Sequence, residues 1–413
     1  MLSYEEALDW LYQQKKSKKR EDLSRIEKCI DLLGIKVNYK IIHIAGTNGK
    51  GSTANLLYQL LLSRGKSTGL FVSPYVISFN ERIEANGSYI TNYEVFEWIQ
   101  YLKEFSLTYQ ARYNDTIPFF ELTFLMALLF YEKKKIEYLV LECGLGGRLD
   151  ATNVLEKNMS IITNIGMDHM AQLGNTLEEI ASHKLGITRE NVICLTTVDE
   201  NIRPYFETYG KEHNVPILFL KEHVQNIRLE GQRTIFTLDG IEYQTSLQGL
   251  FQAYNASLAI QAIRYFEPSI SYEELNRVLN NAFWPGRFEQ IEDNILLDGA
   301  HNIPGIEALC SSILTLYPNR KIKVVFTALK DKSIKEMLAV LDQISSFYYF
   351  TTIEDKRASL ITDFTTLTSH PYKMYENAEE AIKNARNELE QNELLIITGS
   401  LHFISEARKL LTR

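Results

Sequence analysis

Apolar positions along the chain fall into short β-branched runs that alternate with longer stretches of helical spacing. Lys40–Ala45 (KIIHIA) is a strand candidate that stops at the glycine-rich GTNGKGS, and residues 52–62 (STANLLYQLLL) resume at once as a helix. Arg64 and Gly65 supply its stop. Further strand candidates are residues 68–72, Tyr138–Glu142 (YLVLE), 160–164 (SIITN) and 191–195, with helical segments between most of them. Such alternation predicts an α/β fold with a doubly wound, mainly parallel sheet. From about Pro216 to Tyr243 the pattern changes to short alternating runs such as TIFTLDG, which predicts an antiparallel hairpin or small subsidiary sheet. Trp284-Pro285-Gly286-Arg287 breaks periodic structure, and a new alternation follows: Ile295–Leu297, Lys321–Phe326, residues 347–351 and residues 394–398. Two domains are therefore expected, residues 1–286 and 287–413, packed with a cleft between them.

Composition agrees and narrows the class. At 413 residues, 45% hydrophobic and 23% charged, the chain has room for two separate cores in a soluble globular protein. Its most apolar stretch, residues 119–131 (FFELTFLMALLFY), contains Glu121 and is too short to cross a bilayer, so it is read as a buried core helix. The start, MLSYEEALDW, lacks a secretory leader, which sets the expectation of a cytoplasmic protein without membrane contact. Cys29, Cys143, Cys194 and Cys310 lie far apart and are expected to be reduced, buried thiols. A net charge of −8 argues against a nucleic-acid surface. The basic cluster KKSKKR at residues 15–20 is read as a solvated helix end or loop. A monomer is the default expectation.

The glycine-rich segment carries the first specific chemistry. In Gly46-Thr47-Asn48-Gly49-Lys50-Gly51-Ser52, glycines let backbone N–H groups approach an anion, the helix N-terminus adds positive potential, Lys50 reaches outer phosphates and Ser52 can ligate magnesium. The spacing departs from the usual phosphate-loop pattern, because Gly51 intervenes between Lys50 and Ser52. Farther on, Glu142 ends an apolar strand and precedes Gly144, Gly146 and Gly147, a place where a carboxylate can face bound nucleotide. His169, taken alone, reads as an ordinary core or surface histidine.

The blocks HIAGTNGKGS, FVSPYVISFNERI, PFFELT, LECGLGGRLDATN, ITNIGMDH, KLGI, WPGRFE, LDGAHN and ALKDK follow in this order from His43 to Lys332. With them the chain resembles the folylpolyglutamate synthase and dihydrofolate synthase family, a branch of the Mur-type amide ligases. The resemblance implies a P-loop domain followed by a smaller Rossmann-like domain, with ATP held between them by Asn48, Gly49, Lys50, Gly51, Ser52, Asn255, Arg287, Asp298 and His301. It implies two magnesium sites, one at Ser52, Ser73 and Glu142, the other at Glu142, His169 and Lys184. Lys184 serves there only if carbamylated, since an ammonium cannot ligate a cation. His183 stands where the family usually has an acidic residue, and Tyr75 where it often has histidine.

By the same resemblance the folate or pteroate pocket takes Phe79, Asn80, Glu81, Arg82, Pro118, Phe119, Phe120, Leu149, Asp150 and Ala151. Aromatic faces and a carboxylate suit a flat heterocycle with hydrogen-bond donors. The implied reaction is ATP-dependent ligation of L-glutamate to a folate or dihydropteroate carboxylate through an acyl phosphate, with Lys50, Glu142, His169, Lys184 and Arg287 as its catalytic groups. Two rival readings remain: a Mur-type ligase for another amino-acid or cell-wall precursor, and a P-loop ATP-binding regulatory protein without turnover.

Overall fold

The computed structural model describes residues 3–14 and 22–412, so the basic cluster at 15–20 lies outside the described residues. Lys40–Ala45 is a strand with every residue after Lys40 buried, as a β-branched run between two helical layers requires. It lies at the centre of an eight-stranded sheet whose order is Ser88–Tyr89, Ile83–Ala85, Thr68–Phe71, Tyr138–Glu142, Lys40–Ala45, Met159–Ile162, Cys194–Thr196 and Ile217–Phe219. The last six strands run parallel, with Ile42 facing Val140 on one side and Met159 on the other. The first two strands pair antiparallel.

Helices cover both faces. On one, the helix Lys50–Ser63 packs against the helix Gln252–Phe266, burying Leu57, Leu61, Ala256 and Ile260 together with Val140 and Ile161 of the sheet. On the other, Asn92–Tyr113 and Phe119–Lys134 bury Leu102, Phe124 and Leu128 against Phe71 and Leu141. Phe119–Lys134 is the buried core helix expected from its composition. A three-stranded antiparallel sheet, Val224–Glu230, Arg233–Leu238 and Ile241–Thr245, packs on the first face. The strand Ile217–Phe219, which the alternation grouped with this small sheet, instead extends the large one, because its partner is Cys194–Thr196. Period-two alternation sets strand identity but not strand neighbours.

A second sheet of six strands follows: Glu289–Glu292, Ile295–Leu297, Glu393–Thr398, Lys321–Phe326, Ser345–Phe350 and Tyr372–Met374, all parallel except the first pair. It carries its own core on each face, one around Phe326, Leu338 and Phe350, the other around Leu395, Phe403 and Ile404. The four cysteines are free and buried. Among the described residues no helix is long and apolar enough to cross a membrane.

Candidate active site

In an open parallel sheet the carboxyl ends of the strands face one crevice, and the loops that leave them gather there. Gly46 leaves the central strand so close to its neighbour that a Cβ would fall 1.8 Å from Thr163 Oγ1. Gly49, at φ +83°, begins the helix Lys50–Ser63, and a Cβ there would meet Asn255 Oδ1 at 2.3 Å. The unusual Gly51 also has a cause: a Cβ would press to 3.0 Å of Trp284 Nε1. Lys50 Nζ donates to the carbonyls of Gly46 and Thr47 at 3.0 and 3.2 Å.

A cleft of about 260 Å³ opens above this loop, between the two sheets. Asn48, Gly49, Lys50, Gly51, Ser52, Ser73, Glu142, His169, Lys184, Asn255, Arg287, Asp298 and His301 all line it. Residues more than two hundred positions apart are thereby brought to one cleft. Glu142 is buried, one carboxylate oxygen accepting the Ser73 N–H at 3.0 Å. Burial raises its pKa against the opposing pull of Lys50, Arg287 and Arg82. Lys184 lies buried in the last turn of the helix Leu177–Leu185, and burial, then the charge of Lys50, hold its pKa down at about 7. Burial also lowers the pKa of His169 and brings that of His301 to about 4. Asp298 spends one oxygen on the Phe288 N–H and the other on the Ala300 N–H, both at 2.8 Å. Asn255 donates to Gln252 Oε1 at 2.9 Å.

Beyond the cleft, Ser73, Glu142 and Arg287 also border a narrow crevice with Tyr75, Glu81 and Trp284. Against Tyr75 of this crevice Arg82 lies buried among three rings, its guanidinium carbon 5.2 Å from the centroid of Tyr75, 5.5 Å from Phe119 and 6.0 Å from Phe79. Its Nε is buried without a hydrogen-bond partner. Glu81, by contrast, is consumed by its own turn, accepting from the N–H groups of Val76, Ile77 and Ser78. Asn80 is likewise occupied, by Tyr4, Ile90 and Asn92.

Not every residue read as a pocket contact offers a free group. Asp150 caps the turn Ala151–Val154, accepting from Thr152 N and Oγ1 on one oxygen and Leu145 N on the other. Its carboxylate therefore shapes the glycine loop. Phe120 packs edge-on to Phe71, and a Cβ at Gly144 would strike it at 2.6 Å. Pro118 and Ala151 are buried, whereas Leu149 is exposed.

Several cleft groups escaped the sequence reading. Asp168 holds Lys332 Nζ at 2.7 Å and Asn302 Nδ2 at 2.8 Å. Tyr12, from the helix Tyr4–Tyr12, stacks on Phe119 at 5.6 Å and lies 2.9 Å hydroxyl to hydroxyl from Tyr75. Asp168, Asn302 and Lys332 belong to blocks already singled out, so their place in those blocks was an available signal. Nothing in the order of residues points to Tyr12.

The Mur ligase middle domain family matches residues 44–263, and the Mur ligase glutamate ligase domain matches residues 286–401. The chain is 35% identical to dihydrofolate synthase/folylpolyglutamate synthase of Bacillus subtilis, covering 99% of each chain. It is 27% identical to folylpolyglutamate synthase of Lacticaseibacillus casei, again over 99% of each. Among solved structures, Mycobacterium tuberculosis folylpolyglutamate synthase complexed with ADP and AMPPCP superposes with a TM-score of 0.90 at 25% identity, over 99% of this chain and 98% of that one. Escherichia coli FolC in complex with DHPP and ADP superposes with a TM-score of 0.88 at 23% identity, over 99% and 98%, a likeness of fold. A match to the Mur ligase middle domain over more than half of the chain, joined to a relative above 30% identity from end to end, places this protein in the dihydrofolate synthase/folylpolyglutamate synthase family of Mur ligases.

Proposed function

We propose that this chain transfers the ATP γ-phosphoryl group to the carboxylate of a folate or dihydropteroate acceptor, and that the amino group of L-glutamate then displaces phosphate to form the amide. ADP and phosphate leave. A free carboxylate is a poor electrophile because oxide is a poor leaving group, so phosphorylation is the step that permits amide formation. The observation that carries this reading is the adjacency of two unlike regions: a charged cleft holding Lys50, Glu142, Lys184 and Arg287, and an aromatic cage around Arg82 whose Tyr75 lines the crevice that Ser73 and Glu142 also border. Mur ligase domains and relatives whose printed names specify folate ligation support it.

Within the cleft, Lys50 and Arg287 would neutralise charge on the transferring group, and Asn255 and Asp298 would orient the nucleotide. Ser52, Ser73 and Glu142 form an oxygen donor set of the kind magnesium takes together with substrate phosphates. A second magnesium would use Glu142, His169 and Lys184. When bound, the ions supply charge stabilisation at the phosphoryl group. A lysine held near pKa 7 keeps a large neutral fraction at physiological pH, and the neutral amine is the form that adds carbon dioxide and releases a proton to become a carbamate. This supports carbamylated Lys184. Residues 1–286 and 287–413 are taken as the two units that close on the substrates. A monomer in the cytoplasm suits the four free cysteines.

The test is ADP release with ATP, magnesium, glutamate and bicarbonate, supplying dihydropteroate in one reaction and tetrahydrofolate in another, with products identified by mass. Glutamate-dependent turnover with either acceptor is expected, and the acceptor used distinguishes synthase from tail extension. Turnover with neither, together with turnover on another amino-acid precursor, would assign a different Mur-type substrate; ATP binding without any ligation would leave a regulatory protein.

A further inference from the structure

Asn302 uses every hydrogen-bonding position of its side chain to join its own helix to two distant segments. Its Oδ1 accepts from the Gly305 N–H at 2.9 Å, capping the helix Ile303–Leu316, and from Asn48 Nδ2 at 3.0 Å. Its Nδ2 donates to Asn48 Oδ1 at 3.1 Å and to Asp168 Oδ2 at 2.8 Å. A primary amide has two donor hydrogens and an oxygen with two lone pairs, so nothing is left over. Asn302 is buried, and the segments it joins lie 254 and 134 positions away in the chain.

Each partner is itself fixed on its far side. Asn48 gives its N–H to Asn164 Oδ1 at 2.9 Å, and its carbonyl accepts from Thr163 Oγ1 at 2.6 Å. Its side chain pairs with Asn302 while the residue itself lines the cleft. Asp168 takes Lys332 Nζ as well, so two residues of the second domain grip it. Gly166 leaves room for only hydrogen where Pro304 approaches, since a Cβ would fall 2.8 Å from Pro304 Cγ. The second domain thus docks through polar groups that match only in one register. A buried amide with unmatched partners costs more than the bonds return, which makes the contact selective for that register.

We propose that Asn302 is a positioning residue that couples docking of the C-terminal domain to the shape of the phosphate loop, so that ATP is spent only in the closed cleft. The inference rests on the ligase reading above. When the domains part, Asn302 keeps only its helix cap, and Asn48 loses its side-chain partner at the centre of the loop that carries Gly49 and Lys50. Closure and phosphate-loop geometry then become one event. A phosphorylated acceptor formed without closure would meet water, so uncoupling appears as ADP produced without ligation.

The substitution Asn302→Asp separates this role from folding. A carboxylate still accepts the Gly305 N–H, and Asp is a favourable helix cap, but both donors are lost and a second anion faces Asp168. Asn302→Ser is the companion variant: it keeps a capping oxygen, adds no charge and is too short to reach Asn48 and Asp168 together. ADP and ligated product are measured in the same reactions, with the thermal midpoint of each protein alongside. Expected are a ligation kcat lower by roughly tenfold to a hundredfold, a ratio of ADP to product several times that of the wild type, and a KM for ATP that moves far less. Folded variants that keep the wild-type ratio would overturn the inference, as would a fall in kcat that merely tracks thermal stability. A wild-type protein that yields no ligated product overturns the ligase reading and this inference with it; a wild-type ligase whose variants stay coupled overturns this inference alone.

Discussion

The nucleotide cleft and the aromatic cage share a wall and are built by opposite means. In the cleft, Glu142, at the carboxyl end of its strand, meets the opposing charges of Lys50, Arg287 and Arg82. In the cage, one buried arginine faces Tyr75, Phe79 and Phe119, and its Nε has no partner. A cleft rich in fixed charge suits a group whose charge changes during reaction, because preorganised electrostatic stabilisation acts where charge develops. A cage of rings around one cation suits a flat acceptor that ends in an anion, because stacking and a single ionic contact fix its orientation. The difference separates chemistry from acceptor recognition, and the separation can be broken by mutation.

The largest effect is expected at Glu142. Replacing it with Gln removes the charge at the focus of the cleft and should lower the ligation kcat by roughly 10²–10³-fold, with acceptor affinity, measured by equilibrium titration, little changed. A parallel loss of acceptor affinity would show that the two regions are not separable. Next comes Arg82. Arg82→Met keeps apolar bulk among the rings but removes the cation, and should raise the acceptor KM by roughly thirtyfold, about 2 kcal/mol, with the KM for ATP unmoved. A shift in the ATP constant instead would place Arg82 functionally in the cleft.

The smallest effect concerns the segment that follows the glycine loop of the cleft. Lys157 Nζ donates to the carbonyl and side-chain oxygens of Asn153, and Asn153 in turn holds the Arg148 and Gly186 carbonyls. Burial, then nearby Arg189, hold the Lys157 pKa down at about 7 against an ordinary 10.5. Between those values the unfolded chain binds more protons than the folded one, so this lysine makes stability rise with pH over that window. Compared with Lys157→Met, the wild type should gain about 1 kcal/mol between pH 7 and 8, read from urea unfolding at each pH. Parallel pH profiles for the two proteins would refute the assignment of a neutralised buried lysine.

The cleft was far more legible in the sequence than the cage, and the reason is local geometry. Strand, glycine loop and helix run consecutively from Lys40 to Ser63, so short-range order reveals where phosphates can sit. Tyr138–Glu142, Ile295–Leu297 and Lys321–Phe326 likewise form as strands over the spans that the pattern predicts. Asp150 shows the opposite case. Its block marked it as a pocket contact, and the structure adds that one oxygen caps its own turn while the other accepts the Leu145 N–H of the glycine loop. Tyr12 gives no warning at all, since a tyrosine ending an amphipathic N-terminal helix has the same local signature whether it caps a pocket or faces solvent.

Taken alone, the order of residues determined the alternation of strands and helices, the change of pattern near Trp284, the phosphate loop and the family to which the chain belongs. These follow from periodicity and from backbone requirements within a few residues. Only the tertiary structure decided that Ile217–Phe219 extends the large sheet, that three rings and Tyr12 close on Arg82, and that Asn302 grips both Asn48 and Asp168. Contacts over such separations depend on how two sheets pack their faces, and a hydrogen bond between residues 254 positions apart leaves no trace in the spacing of either one.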